Sequence, residues 1–289
     1  MAQQSINDLI ELLDLEEIEK NHYRATSPND GWQRVYGGQV IGQALVAASR
    51  TVPEDRHAHS LHGYFLRPGD TQFPILYTVD RIRDGRSFTT RRVVAIQHGK
   101  PIFNMSISFQ VDETGFDHQL PMPEAPRPDT LQDERELRLE WAKKVPEEFA
   151  ESFDRDRPID IRPVEPLDIF QPEKRPPFQM CWMKSRERLP DDQRLHQCVL
   201  AYLSDWSLLD TAMLPHAVSF TQTKMQVASL DHAMWFHREF RADEWLLYVQ
   251  DSPSAYGARG LNRGLIYTEA GVLVASATQE GLIRIHPDD

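Results

Sequence analysis

SFTTRRVVAIQHGKPIFNMSISFQV, residues 87–111, decides the fold class. Phe103, Met105, Ile107, Phe109 and Val111 alternate with Asn104, Ser106, Ser108 and Gln110, giving one apolar face and one polar face. The preceding SFTTRRVVAIQ reads as a second strand, and His98–Gly99–Lys100 as the short hairpin turn between them. The unit is therefore an antiparallel sheet. Upstream, SLHGYFLRPGD (60–70) is a strand closing on a Pro-Gly-Asp turn, and FPILYTVDRI (73–82) is another. Before the strands, Val40, Ile41, Ala44, Leu45, Ala47 and Ala48 follow a helical period in VYGGQVIGQALVAASR (35–50). Gly37 and Gly38 mark its start. Gly38 and Gly42 strip one face of bulk, so this helix is expected to lie close on the sheet. Apolar Ile6, Leu9, Ile10, Leu13 and Ile18 predict a further helix over 6–18.

The same order returns downstream. Pro190–Asp191–Asp192 is a helix-start signal, and the helix is expected to run through QRLHQCVLAYLSDWSLLDTAM and stop by Pro215. Strands follow in MQVASLDHAMWFHREF, EWLLYVQD, RGLIYTE and GVLVASATQEGLIRI. SLHGYF at Ser60 resembles SLDHAMWF at Ser229, and the last long strand of each half carries a glutamine, Gln110 or Gln279. This is a weak internal duplication of one unit, a long helix on an antiparallel sheet, so the chain reads as α+β. Between the halves, 11 of the 20 prolines fall from Gln119 to Pro177, with a charged helix expected near 131–144. The division reads as a first unit over 1–118, a proline-rich linker over 119–156 and a second unit over 157–289.

Two such units account for 289 residues, 40% hydrophobic, and the net charge of −12 disfavours a phosphate backbone as partner. No run approaches the length of a membrane helix, and the acidic, amphipathic N-terminus lacks the features of a secretion signal. Two cysteines, Cys181 and Cys198, are too few for a disulfide framework, and RIHPDD is not a Ser-Lys-Leu address, so a cytoplasmic location is expected. No phosphate loop, dinucleotide fingerprint, H-E-x-x-H or G-x-S-x-G is present, and His57, His59 and His62 lack a carboxylate at ligand spacing. No cofactor and no metal are expected.

The second helix is more informative. At about 100° per residue, Leu195, Cys198, Val199, Tyr202, Trp206 and Leu209 form a stripe with Asp205 and Asp210 at its opposite edges. A carboxylate beside a buried stripe has its pKa raised by desolvation, which is how a general base is made. Periodicity does not choose between the two. Gln279 shares a small, apolar strand face with Leu273, Ala275 and Ala277, where an amide needs partners.

VYGGQVIGQAL, HGYFLRPGD, RDGRSFTTRRVVAIQHGKPIF, LDHAMWFHR and RGLIYTEAGVLVASATQEGLIR together resemble the acyl-CoA thioesterase II family, over nearly the full length. The resemblance implies a double hotdog fold and hydrolysis of medium- to long-chain acyl-CoA thioesters. It also implies association into a homo-oligomer, a dimer or tetramer. In that family a helical Asp, a hydroxyl and a Gln hold and activate the attacking water. By position these are Asp205, Ser229 (where some relatives carry Thr) and Gln279. The choice of Asp205 over Asp210 rests on the resemblance. It further places a helix N-terminus, near Gly38–Gln39 or in the second half, beside the thioester. Arg67, Arg91, Arg92, Arg259 and Arg263 are candidates to meet the phosphates of coenzyme A. The alternatives are an enoyl-CoA hydratase and a non-catalytic acyl-CoA-binding protein. The former is disfavoured by the lack of a histidine in the turns beside Asp205, the latter by the presence of all three water-site residues.

Overall fold

The computed structural model describes residues 6–27, 34–147, 150, 153, 157–219 and 223–286. Helix α1 (Ile6–Leu13) leads into a hairpin of β1 (Glu16–Glu19) and β2 (His22–Ala25). The expected helix over 6–18 thus ends at Leu13, and Ile18 lies on an edge strand. All four residues of β1 are exposed, so no apolar alternation marks it as a strand. Helix α2 (Gly37–Ser49) precedes β3 (Arg56–Phe65), β4 (Ile75–Asp84), β5 (Phe88–Gln97) and β6 (Lys100–Val111). His98 and Gly99 both take positive φ, 50° and 70°, which matches the twist of the β5–β6 hairpin. After helix α3 (Glu134–Ala142) come β7 (Ile159–Pro163), β8 (Phe178–Ser185) and helix α4 (Gln193–Ser204). The chain closes with β9 (Met225–Ser229), β10 (Asp231–Phe236), β11 (Leu246–Tyr256), β12 (Arg259–Thr268) and β13 (Leu273–Ile285).

The strands form one sheet in the order β1-β2-β4-β5-β6-β3-β10-β13-β12-β11-β8-β7, with β9 beside β13. The halves join at β3 and β10, where Ala233 faces His62. Their ladders match position by position. Ala58 pairs with Phe109 as Ser229 pairs with Gly281, and Arg91 pairs with Ile107 as Asn262 pairs with Gln279. The duplication is therefore real, but its register is not the one the glutamines suggested. Ile107, not Gln110, holds the ladder position of Gln279.

Helices α2 and α4 lie antiparallel on one face of the sheet. Between helices and sheet lies the main core, with Ile41, Leu45, Val199 and Leu203 against Leu61, Met105, Met234 and Ala275. The bare faces of Gly38 and Gly42 turn toward α4, not toward the sheet as expected. A Cβ on Gly38 would overlap the Tyr202 carbonyl oxygen, and one on Gly42 would lie 3.2 Å from that of Cys198. The proline-rich stretch is a packed cover. On the outer face of the second half, Trp182, Leu247, Tyr267 and Leu273 form a second cluster against Met122, Ala125, Leu131 and Val164. Trp182 Nε1 donates to the Pro126 carbonyl at 2.8 Å.

Candidate active site

The antiparallel helix pair brings the C-terminus of α4 to the N-terminus of α2. Asp192 caps the start of α4, accepting from the Arg194 amide at 2.9 Å. The expected continuation to Met213 does not occur. Asp205 is the C-terminal cap, Ser207 turns left-handed at φ 59°, and tight 3-10 turns follow at Leu209–Ala212 and Leu214–His216. Asp205 is thus placed by the end of a helix rather than by the edge of a continuing stripe.

Its carboxylate gathers three donors from three other elements. Oδ1 accepts from Gln279 Nε2 of β13 at 2.5 Å and from Ser229 Oγ, at the end of β9, at 3.2 Å. The backbone amide of Gly38, in the first turn of α2, also hydrogen-bonds the carboxylate. The positive end of α2 therefore faces the negative group, a favourable dipole arrangement. Gly37 makes the approach possible, since a Cβ there would lie 2.6 Å from Asp205 Oδ2. Burial pushes the Asp205 carboxyl up to about 6, against the pull of these three hydrogen bonds toward the ionised form. Gln279 is fully buried and its Oε1 has no hydrogen-bond partner in the described structure.

Asp210 also titrates near 6 because of burial, reinforced by repulsion from Glu134 and Asp205. Desolvation alone therefore does not separate the two carboxyls. The donors do, since Gln279, Ser229 and Gly38 converge on Asp205.

At the other end of the helix pair the equivalent positions are filled differently. Arg194 donates to the backbone carbonyls of Ser49, Pro53 and Arg56. Ala58 and Ile107 hold the ladder positions of Ser229 and Gln279. Arg91 holds that of Asn262, fully buried, with its guanidinium bonded to Thr51, Arg83, Thr90 and Asp84. Arg91 is accordingly a correction to the list of coenzyme A ligands. It lies on the inner face of its strand and its nitrogens are committed inside the fold. Arg92, Arg259 and Arg263 stand on the outer sheet face, paired with Asp80, Glu280 and Asp251. Arg67 is exposed beyond β3, two residues after Phe65, whose ring flanks Gly37. Sequence reasoning missed Tyr248 and Gln250, two polar residues at alternate positions of the apolar strand LLYVQD. Both lie beneath the Asp205 turn.

A family model described as acyl-CoA thioesterase matches residues 149–282, and one described as acyl-CoA thioesterase N-terminal domain matches 26–110. Acyl-CoA thioesterase 2 of Haemophilus influenzae is 43% identical over 96% of this chain and 98% of its own length. Human acyl-coenzyme A thioesterase 8 is 42% identical over 96% of this chain and 88% of its own length. The crystal structure of an acyl-CoA thioesterase II from Mycobacterium marinum is 45% identical, covers 97% of this chain and 98% of that one, and has a TM-score of 0.79. A hot dog fold protein from Alicyclobacillus acidocaldarius, 15% identical with a TM-score of 0.75 over 96% of this chain and 98% of its own, shares the architecture. With its two sheet-and-helix units in one chain, the protein has a double hotdog fold and belongs to the acyl-CoA thioesterase II family.

Proposed function

We propose that the chain hydrolyses acyl-CoA thioesters of medium to long chain length to a free fatty acid and coenzyme A, with Asp205 as the base. The observation that carries this reading is the convergence of Gln279, Ser229 and the Gly38 amide on one raised carboxylate. A thioester carbonyl is already activated, so a positioned water suffices as nucleophile. Asp205 takes the water proton as the oxygen attacks the carbonyl carbon. Gln279, with its unpartnered Oε1, and Ser229 hold that water. Backbone amides at the start of α2 are suited to the developing oxyanion. Collapse of the tetrahedral intermediate breaks the C–S bond, and the thiolate leaves with the proton Asp205 had taken.

Arg67 is the arginine we retain for the phosphates of coenzyme A. Arg92, Arg259 and Arg263 meet them only if the nucleotide wraps to the outer face. The division into units over 1–118 and 157–289 with a linker over 119–156 is likewise our reading, supported by the two matched ladders. So are a cytoplasmic location, which the free, buried Cys181 and Cys198 suit, and a homo-oligomer, which light scattering tests. No helix among the described residues is long and apolar enough to cross a membrane.

Decanoyl-CoA and crotonyl-CoA separate the readings. Release of free thiol from decanoyl-CoA without hydration of crotonyl-CoA is expected. Hydration of crotonyl-CoA, or tight decanoyl-CoA binding without turnover, would overturn the proposal.

A further inference from the structure

The turn that carries Asp205 is held from below by side chains that never touch its carboxylate. Tyr248 and Gln250 occupy alternate positions of β11, so both point to the helix face, and both are fully buried. Tyr248 Oη donates to the Ser204 carbonyl at 2.8 Å, immediately before Asp205. Gln250 Nε2 donates to Ser207 Oγ at 3.0 Å and toward the Trp206 carbonyl at 3.5 Å, immediately after it. Gln179, directly opposite Gln250 on β8, donates to the Ser207 carbonyl at 3.0 Å and to Gln250 Oε1 at 2.8 Å. Thr211 Oγ1 adds a bond to Gln250 Oε1 at 3.1 Å. The carbonyl-rich end of α4, which would otherwise fray, is therefore tied down on both sides of the base.

The duplicated half supplies an internal comparison. Tyr77 pairs with Ala95 and Val79 with Val93, as Tyr248 pairs with Ile266 and Gln250 with Gly264. Tyr77 turns its hydroxyl to Gln43 Oε1 at 2.7 Å, and the Val79 side chain has no group that can hydrogen-bond. The amide appears only in the half that holds the carboxylate. Gly264 belongs to the same arrangement, since a Cβ there would overlap the Tyr248 ring.

We infer that Tyr248 and Gln250 are positioning residues for Asp205, fixing the turn so that its carboxylate stays aligned with Gln279, Ser229 and Gly38. This inference rests on the reading of Asp205 as the base. The groups facing that carboxylate are Tyr36 at the α2 start, Asp210 on its own segment, and Tyr248 below. Arg157 lies over the Trp206 ring, 4.0 Å from its centre. None of these is altered by Gln250→Leu, and Tyr248→Phe removes only the hydroxyl.

The test compares Tyr248→Phe, Gln250→Leu and Asp205→Asn by decanoyl-CoA kinetics across pH. A loosened turn weakens the hydrogen bonds that favour the ionised carboxylate. Tyr248→Phe and Gln250→Leu should then lower kcat about 5- to 50-fold with little change in KM, and shift the acid limb of kcat upward by about half a pH unit. A merely structural role would scale kcat with the folded fraction and leave the limb in place. If Gln250→Leu fails to fold, the near-isosteric Tyr248→Phe decides. Wild-type kcat and an unmoved limb in folded Tyr248→Phe, beside an inactive Asp205→Asn, would overturn the inference alone. Full activity in Asp205→Asn would overturn the reading beneath it.

Discussion

Replacing Asp205 by Asn should separate activity from stability in a way that few core substitutions do. The change keeps the shape and removes the base. General-base catalysis contributes about 10²- to 10⁴-fold, or about 3–5 kcal/mol of barrier, so kcat for decanoyl-CoA should fall by two decades or more. Stability should respond oppositely to pH. The carboxyl titrates at 3.8 when free and at about 6 in the fold. Between those values the folded chain keeps a proton that the unfolded chain has released. The contribution of this group to stability is therefore full below pH 3.8 and is lost as pH rises through 6, by about 3 kcal/mol in all. Asn carries no such loss. It does offer an NH₂ where Gly38 presents its own N–H, a mismatch costing about 1–3 kcal/mol, but this offset is the same at every pH. Urea unfolding at pH 5 and pH 8 isolates the titration. The stability of Asp205→Asn relative to wild type should improve by about 1.5 kcal/mol between the two. A folded variant with near-normal kcat in a thiol-release assay would refute the role given to Asp205. An unchanged stability difference across that pH range would refute its burial as a charged group.

Gln279→Ala should lower kcat at least tenfold, while Ser229→Thr keeps the hydroxyl and should stay near wild type where Ser229→Ala does not; steady-state kinetics check all three. Asp210→Asn should keep kcat within a few-fold and move the acid limb of its pH profile downward, because the repulsion between Asp210 and Asp205 is mutual; loss of activity would point to Asp210 as the base. Gly38→Ala drives a methyl into the Tyr202 carbonyl and should destabilise the chain by about 1–3 kcal/mol or more, read as a lower urea midpoint together with reduced turnover. Arg91→Met strips hydrogen bonds from the Thr51 and Arg83 carbonyls and should cost about 2–4 kcal/mol, with KM for decanoyl-CoA unchanged in the folded fraction.

Much of the sheet was legible because its strands alternate cleanly. Phe103, Met105, Ile107 and Phe109 are buried while Ser106 is exposed, so period and environment agree. Helix α2 was legible from the helical period of Val40, Ile41, Ala44, Leu45, Ala47 and Ala48, although the burial of Gln39 and Gln43 as well was not. The β1–β2 hairpin was not, since Glu16–Glu19 is exposed on every side and leaves no pattern to read. The end of α4 was hidden by an apolar period that continues past Ser204 as though the helix did. Tertiary bonds from Tyr248, Gln179 and Gln250 to that turn override the local preference. Among the site residues, Asp205, Ser229 and Gln279 were named through the family's motifs, and nothing in their spacing brings them together. Their meeting depends on two ladder registers and a helix pair that only the folded chain supplies. Arg91 misled because an arginine on an alternating strand reads as exposed until the opposite face is known to be the inner one.

The seam at β3 and β10 makes turnover a report on correct pairing. Asp205 comes from one half and the helix end it rests on from the other. A fragment carrying only the second half would expose the edge of β10, and an exposed edge invites pairing with another copy of itself. Such a self-pair would bring α4 against a second α4, so that Arg194, rather than the bare Gly37–Gly38 turn, would arrive at the carboxylate. A guanidinium there would hold the base as an ion pair and fill the space where water must stand. Self-paired halves would therefore be silent, and activity regained on mixing separately made halves would count the heterologous pairs alone.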